Sequence, residues 1–151
     1  MKKLATVLAA TAIMFSASAF TKETNETKAT TRVEKSFTKD FSGASNIVWR
    51  KVGDVFIANF DQNDNTIEAA YNLDGELIAT SKSVSINNLP LAVTMAISKK
   101  YEGYEVAKKG EEITYEKQTN YYINVCNGKE ILKLKCTVNG DLSVDKKTKL
   151  D

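Results

Sequence analysis

The side chains that most often perform chemistry at neutral pH are sparse in this chain. It contains no histidine. That removes Ser-His-Asp and Cys-His nucleophilic catalysis, the commonest general base, and most zinc and copper sites. Carboxylates and lysines are plentiful, but none falls into a spacing that pairs a general acid with a base. Asp61-Gln62-Asn63-Asp64-Asn65 places oxygen ligands at alternate positions, as the start of a calcium loop does. A complete loop needs glycine where Thr66 stands and an acidic residue where Asn72 stands. The segment therefore reads as a polar connection between two strands. No catalytic, cofactor-binding or metal-ligating residue is assigned, and the chain is read as a non-enzyme with no cofactor.

Two cysteines, Cys126 and Cys136, and one tryptophan, Trp49, remain. Asn127-Gly128 or Gly128-Lys129 makes a turn between the two cysteine-bearing strands. In either register Tyr121, Ile123 and Val125 share a face with Leu132, Leu134 and Cys136. Cys126 falls on the opposite face. A disulfide needs Cα atoms within about 7 Å and converging Cβ vectors. The hairpin does not supply them, so Cys136 is expected as a small buried hydrophobe and Cys126 as a partly exposed thiol. Trp49, in Asn46-Ile47-Val48-Trp49, is either core or an aromatic anchor on an open sheet face.

The first 19 residues set the compartment. Met1-Lys2-Lys3 is a basic start, Leu4 to Phe15 is apolar apart from Thr6 and Thr11, and Ser16-Ala17-Ser18-Ala19 supplies small residues. This is the order of a secretory signal peptide cleaved after Ala19. The apolar run is short of the roughly 20 residues that span a membrane. The expected location is periplasmic or secreted. Removing Lys2 and Lys3 from the 21 basic residues leaves 19 against 19 acidic ones. A nucleic-acid binder needs a cationic surplus to neutralise phosphates, so that class is set aside. No membrane insertion is expected after cleavage. Residues 20–32 are rich in Thr, Lys, Glu and Asn and read as a flexible leader.

From Val33 onward the chain repeats itself. Val33, Phe37 and Phe41 recur at helical spacing, and Val93, Ile97 and Tyr101 do so 60 residues later. Gly43 and Gly103 follow as helix stops, and Pro90 opens the second helix. Further on the correspondence moves to 65 residues. Phe56, Ala58 and Phe60 match Tyr121, Ile123 and Val125, while Ile67, Ala69, Tyr71 and Leu73 match Leu132, Leu134, Cys136 and Val138. Asp74-Gly75 matches Asn139-Gly140, and Leu77 and Ala79 match Leu142 and Val144. All alternate at the period of half-buried strands, and the two Gly pairs mark tight hairpins. Parity calls for a bulge or three-residue loop there, to keep Leu73 with Leu77, and Val138 with Leu142, on one face. The change of correspondence places an insertion within Lys108 to Thr119, read as two short strands or a longer hairpin loop.

The predicted fold class is α+β: a tandem repeat of a helix plus about four antiparallel strands. Together they form one roughly eight-stranded antiparallel sheet with two helices on one face. The units span about 33–88 and 89–148, within a domain of residues 33–151.

Phe37-x-x-x-Phe41, Ala44 to Trp49, Val55 to Phe60, Ala70-Tyr71-Asn72-Leu73-Asp74-Gly75, Leu89-Pro90 and the closing Asn139-Gly140 carry a resemblance. In their order and spacing they resemble the PepSY-like family of exported bacterial proteins, described as similar to β-lactamase-inhibitor proteins. The resemblance implies tandem helix-plus-sheet units, a periplasmic or extracellular place and no catalytic activity. It assigns no binding residue. The expected function is an exported protein-binding module, an inhibitor or modulator of a peptidase or other envelope enzyme, acting on another exported protein through its open sheet face. The outward residues named from alternation are Glu68, Ala70 and Asn72 in the first unit and Tyr122, Asn124 and Cys126 in the second. The alternative is a small-ligand-binding or structural envelope component using the groove between the units.

Overall fold

The computed structural model describes residues 27–150. The expected signal peptide, and residues 20–26 of the expected leader, lie outside the described residues. The leader's last residues are part of the fold instead. Helix α1 (Thr31–Asp40) begins two residues before Val33. Ala29 is buried, and the Thr27 amide donates to the Trp49 carbonyl at 3.4 Å. The physical reason is the cap: Thr30 Oγ1 accepts from the Val33 N–H at 3.3 Å, which fixes where the helix starts.

Strands β1 (Ser45–Val52), β2 (Val55–Gln62), β3 (Asn65–Tyr71) and β4 (Leu77–Ser85) follow α1. A single 3-10 turn, Ile86–Asn88, leads to α2 (Leu91–Lys100). Then come β5 (Glu105–Val106), β6 (Lys109–Tyr115), β7 (Gln118–Cys126), β8 (Glu130–Thr137) and β9 (Leu142–Lys149). The sheet is antiparallel throughout, in the order β1-β2-β3-β4-β6-β7-β8-β9, with β5 pairing β7 alongside β6. The chain thus meanders through two units, which meet where β4 pairs β6.

The strand registers fix which residues share a face. One row runs Phe60, Ile67, Lys82, Glu112, Tyr121, Cys136 and Leu142 across the sheet. Both helices pack on this face. Val33 and Phe37 of α1 bury against Phe56, Ala58, Phe60, Ala69 and Tyr71. Val93 and Ile97 of α2 bury against Tyr121, Ile123, Val125, Leu132, Leu134 and Cys136. Between the two cores the face is polar: Lys82 pairs with Glu112 at 3.1 Å, and the Thr114 and Thr119 hydroxyls share a hydrogen bond at 2.8 Å.

The hairpin glycines dock the helices. A Cβ on Gly140 would stand 2.7 Å from the Ala92 carbonyl oxygen, and one on Gly75 would stand 2.8 Å from Ser36 Oγ. Ala92 lies 60 residues after Arg32, whose carbonyl is the next neighbour at Gly75, so the same close approach is built twice. Both glycines also hold positive φ, +77° and +93°.

Parity differs from expectation at one place. Tyr71 pairs with Leu77, but Ala70 pairs with Ala79, so Ile78 is a bulged extra residue. The hairpin closes through the three-residue loop Leu73-Asp74-Gly75, as parity expected, while the bulge sends Ala79 to the face opposite Leu77; Leu73 and Leu77 are both exposed. In the second unit the bulge falls later, at Asp145, leaving Leu142 and Val144 on the helix side opposite Cys136 and Leu134. The segment read as an insertion is β6 with the turn into β7, and β6 is the strand that joins the two units.

Candidate binding face

The sheet face away from the helices carries no packed element among the described residues. Its centre is apolar. Ile57, Ala70 and Ala79 form a small buried cluster with Val55, Ile113 and Tyr115 against it. Ile57 and Ala70 have no exposed surface although no helix covers them. Neighbouring side chains close over them: Arg50 stands opposite Ile57 on β1 and reaches across β2 to Glu68 on β3, Nη2 to Oε2 at 3.4 Å. A partly solvated pair of this kind contributes little stability of its own. Its effect is to cover the cluster with aliphatic stems. Ile113 and Tyr115 remain partly exposed beside it. The Tyr115 hydroxyl is held above its ordinary pKa by a hydrogen bond to Glu116 and by that residue's charge.

The second unit's part of the face is polar and ordered by Glu111. Glu111 Oε1 accepts from Ser81 Oγ at 3.2 Å, and Oε2 lies 3.6 Å from Lys133 Nζ. Lys133 Nζ also lies 5.1 Å from the centre of the Tyr122 ring. Burial, then the charges of Asp145 and Glu111, raise the Tyr122 hydroxyl's pKa.

Of the residues expected to point outward, Glu68, Ala70, Tyr122, Asn124 and Cys126 occupy this face by register. Ala70 is buried on it. Asn72 does not serve the face: its Oδ1 accepts from the amides of Asp74 and Glu76 and builds the hairpin turn. Trp49 belongs to the core side, edge-on to Phe37 with centroids 5.3 Å apart. The aromatic cluster of the first unit, Phe37, Phe41, Trp49, Phe60 and Tyr71, is therefore under α1 and not on the open face. Ile113 and Tyr115 were missed as face residues because their charged segment reads equally as two short strands or a longer hairpin loop, which fixes no face. The usable signal was their alternation with Glu112 and Thr114.

The other sequence candidates resolve into structure. Asn63 and Asp64, both at positive φ, turn β2 into β3. Asp61 accepts from Asn46 Nδ2 and Thr66 Oγ1, each at 2.8 Å. These bonds, Asn46 first, hold its carboxyl below the usual range. Cys126 and Cys136 are both free thiols, paired with Ile131 and Tyr121 respectively. Burial raises the Cys136 thiol above its ordinary value. Cys126 Sγ accepts from the Gly128 N–H at 3.4 Å. Among the described residues no group of three or more acidic or cysteine side chains converges to hold a metal. No described helix is long and apolar enough to cross a membrane.

No protein-family model matches the chain. No curated protein matches it. Solved structures do. A BLIP-like protein from Bacteroides fragilis superposes with a TM-score of 0.72 at 22% identity, covering 84% of this chain and 92% of its own. A DUF2874 family protein from Bacteroides ovatus gives 0.69 at 22% identity, covering 82% and 89%. A protein from Bacteroides eggerthii, provisionally described as periplasmic, gives 0.68 at 18% identity, covering 82% and 90%. At these identities the likeness is one of fold, and it extends over most of both chains: the described domain has the α+β architecture of the BLIP-like and DUF2874 structures.

Proposed function

We propose that this chain is an exported, non-catalytic protein-binding module, PepSY-like in family, whose open sheet face engages another exported protein and modulates an envelope enzyme. The observation that carries the reading is the face itself. Eight strands present a continuous surface with no covering element among the described residues, and Ile113, Tyr115 and Tyr122 are partly exposed along its middle. Aromatic side chains beside polar groups are what protein interfaces concentrate at their centres. The groove between the units favours the small-ligand alternative less, because Lys82 with Glu112 and Thr114 with Thr119 already satisfy one another there.

The test is affinity capture from an envelope extract, comparing the native protein with a Tyr115→Ala, Tyr122→Ala double variant and with Lys35→Glu on α1. A saturable partner retained by the native protein and the α1 variant, but lost from the double variant, is the expected result. Retention by all three, or capture of nothing saturable, counts against the reading. Export is tested separately: the protein recovered from the periplasm or medium should begin at Phe20.

A further inference from the structure

We propose that the second unit's half of the open face binds a carboxylate-rich segment of the protein partner, an inference that rests on the open face being the binding surface. Lys133 on β8 stands directly opposite Lys146 on β9, and Lys135 stands two residues along β8 on the same face. Like charges placed directly opposite across a strand pair oppose folding. Local compensation is partial. Glu111 pairs with Lys133, and Asp145 sits in the neighbouring bulge, but Lys135 and Lys146 form no ion pair among the described residues.

Edge protection does not account for the cluster. Lysines on an edge strand discourage pairing with other chains, and that explains those of β9. Lys133 and Lys135 stand on β8, which is paired on both sides. Nor does the scaffold require them. At the matching positions of the first unit, 65 residues earlier, Lys133, Lys135 and Lys146 correspond to Glu68, Ala70 and Ser81, and Tyr122 corresponds to Ile57. The first unit uses these positions to close a small apolar cluster. In the second, Lys135 stands opposite the half-buried Tyr122, Lys133 Nζ lies over its ring, and Lys146 stands opposite Lys133.

The chemistry favours discrete carboxylates over a polyphosphate or a lipid surface. Glu111 and Asp145 are interleaved with the lysines, so the patch offers separate cationic points rather than a continuous stripe. Among the described residues, Leu150, at the end of β9 beyond the lysines, continues this half of the face as an exposed large hydrophobic, and one such residue falls short of the apolar face that anchoring in a bilayer needs. The Tyr122 ring gives a carboxylate bound beside it one wall of low polarity, which strengthens its attraction to the ammonium groups.

The experiment titrates ¹⁵N-labelled exported protein with an octa-glutamate peptide at low salt, and separately with phosphatidylglycerol vesicles. Saturable shifts centred on Lys133, Lys135 and Lys146 are expected. They should weaken at raised salt, fall at least tenfold in affinity in a Lys135→Glu, Lys146→Glu variant, and persist in Lys35→Glu, Lys39→Glu. Shifts centred on the helices, no saturation, equal loss in both variants, or preferential binding to vesicles would overturn the inference. The captured partner separates it from the broader reading. Binding that survives Lys135→Glu, Lys146→Glu but is lost in Tyr115→Ala, Tyr122→Ala overturns the acidic-segment inference alone. Binding that survives both overturns the open-face reading as well.

Discussion

The two units share a backbone plan and differ in almost everything that packs on it. The first fills its core with aromatic rings: Phe37 lies within 4.9 Å of Phe60 and 6.3 Å of Tyr71, centroid to centroid. The second places Ile97 over Ile123, Leu134 and the Cys136 thiol. The outer surface of α1 is charged, and Arg32 reaches Asp74 at 3.2 Å. On α2, Ala92 stands where α1 has Arg32 and Met95 where it has Lys35, and Met95 is 62% exposed, as is Leu91 at 73%. On the open face, Arg50 and Glu68 close over an apolar cluster in one unit, while Lys133 lies over the Tyr122 ring in the other. What stays constant is what the backbone geometry demands: the glycine at each hairpin, its contact with the helix, and the helix exit. Packing identity and surface charge are free to diverge once those constraints are met.

The largest expected effect tests the core difference. Phe37→Ala should cost about 4 kcal/mol, and Ile97→Ala about 3 kcal/mol, in denaturant unfolding, because the ring removes more buried surface and leaves the larger cavity. Equal costs would show that the aromatic core is not the stronger of the two.

Next come the shared glycines. Gly140→Ala should cost about 3 kcal/mol and Gly75→Ala about 2 kcal/mol, combining left-handed backbone strain with a clash. The difference arises because the obstacle at Gly140 is a backbone carbonyl, whereas at Gly75 the nearest atom is a rotatable serine hydroxyl. The reverse order in chemical denaturation would contradict this account of helix docking.

A smaller effect runs the other way. Glu116 and Lys117 turn β6 into β7 with both residues at positive φ, whereas the matching β1–β2 turn of the first unit has a glycine, Gly53, at positive φ. Replacing Glu116-Lys117 by Asn-Gly should stabilise the protein by about 1 kcal/mol, readable as a raised thermal midpoint, because those types suit this turn.

The smallest is pH-dependent. Burial raises Cys136 above 9.0 and Tyr71 above 10.0, the latter also through its hydrogen bond to Asp40. Each group stays protonated in the folded protein after its unfolded counterpart has ionised. Its contribution is therefore complete below the unfolded value and is lost as pH rises toward the folded one. Stability should decline from about pH 9 upward. Cys136→Ala should remove the earlier part of the decline and Tyr71→Phe the later part, as read by unfolding at fixed denaturant.

Much of the fold was legible because repetition doubled every signal. A single Asp-Gly is a weak mark, but Asp74-Gly75 and Asn139-Gly140 at equivalent places, each after an alternating strand, define the meander and its helices. The Cys136 and Cys126 faces followed from hairpin parity alone. Parity called for a bulge or three-residue loop at the hairpin, but not for the bulge at Ile78, one residue beyond Leu77, which moves Ala79 to the open face. The role of β6 was hidden because Lys109, Glu111 and Glu112 make a central strand look like a loop. The Glu112 carboxylate is paired with Lys82, and that of Glu111 with Ser81 and Lys133, from neighbouring strands, partners that sequence order cannot reveal. The start of the fold was misplaced for a similar reason, since Ala29 is too small to announce that it is buried.

The most direct test of the central claim is site-specific photo-crosslinking in cells exporting the protein. A crosslinking side chain would be placed at Ile113 or Tyr115 on the open face, at Lys35 on α1, and at Met95 on α2. A discrete protein adduct is expected from the open-face positions and none of comparable yield from either helix. Adducts from Lys35 or Met95, with none from Ile113 or Tyr115, would place the interface on the helices and contradict it.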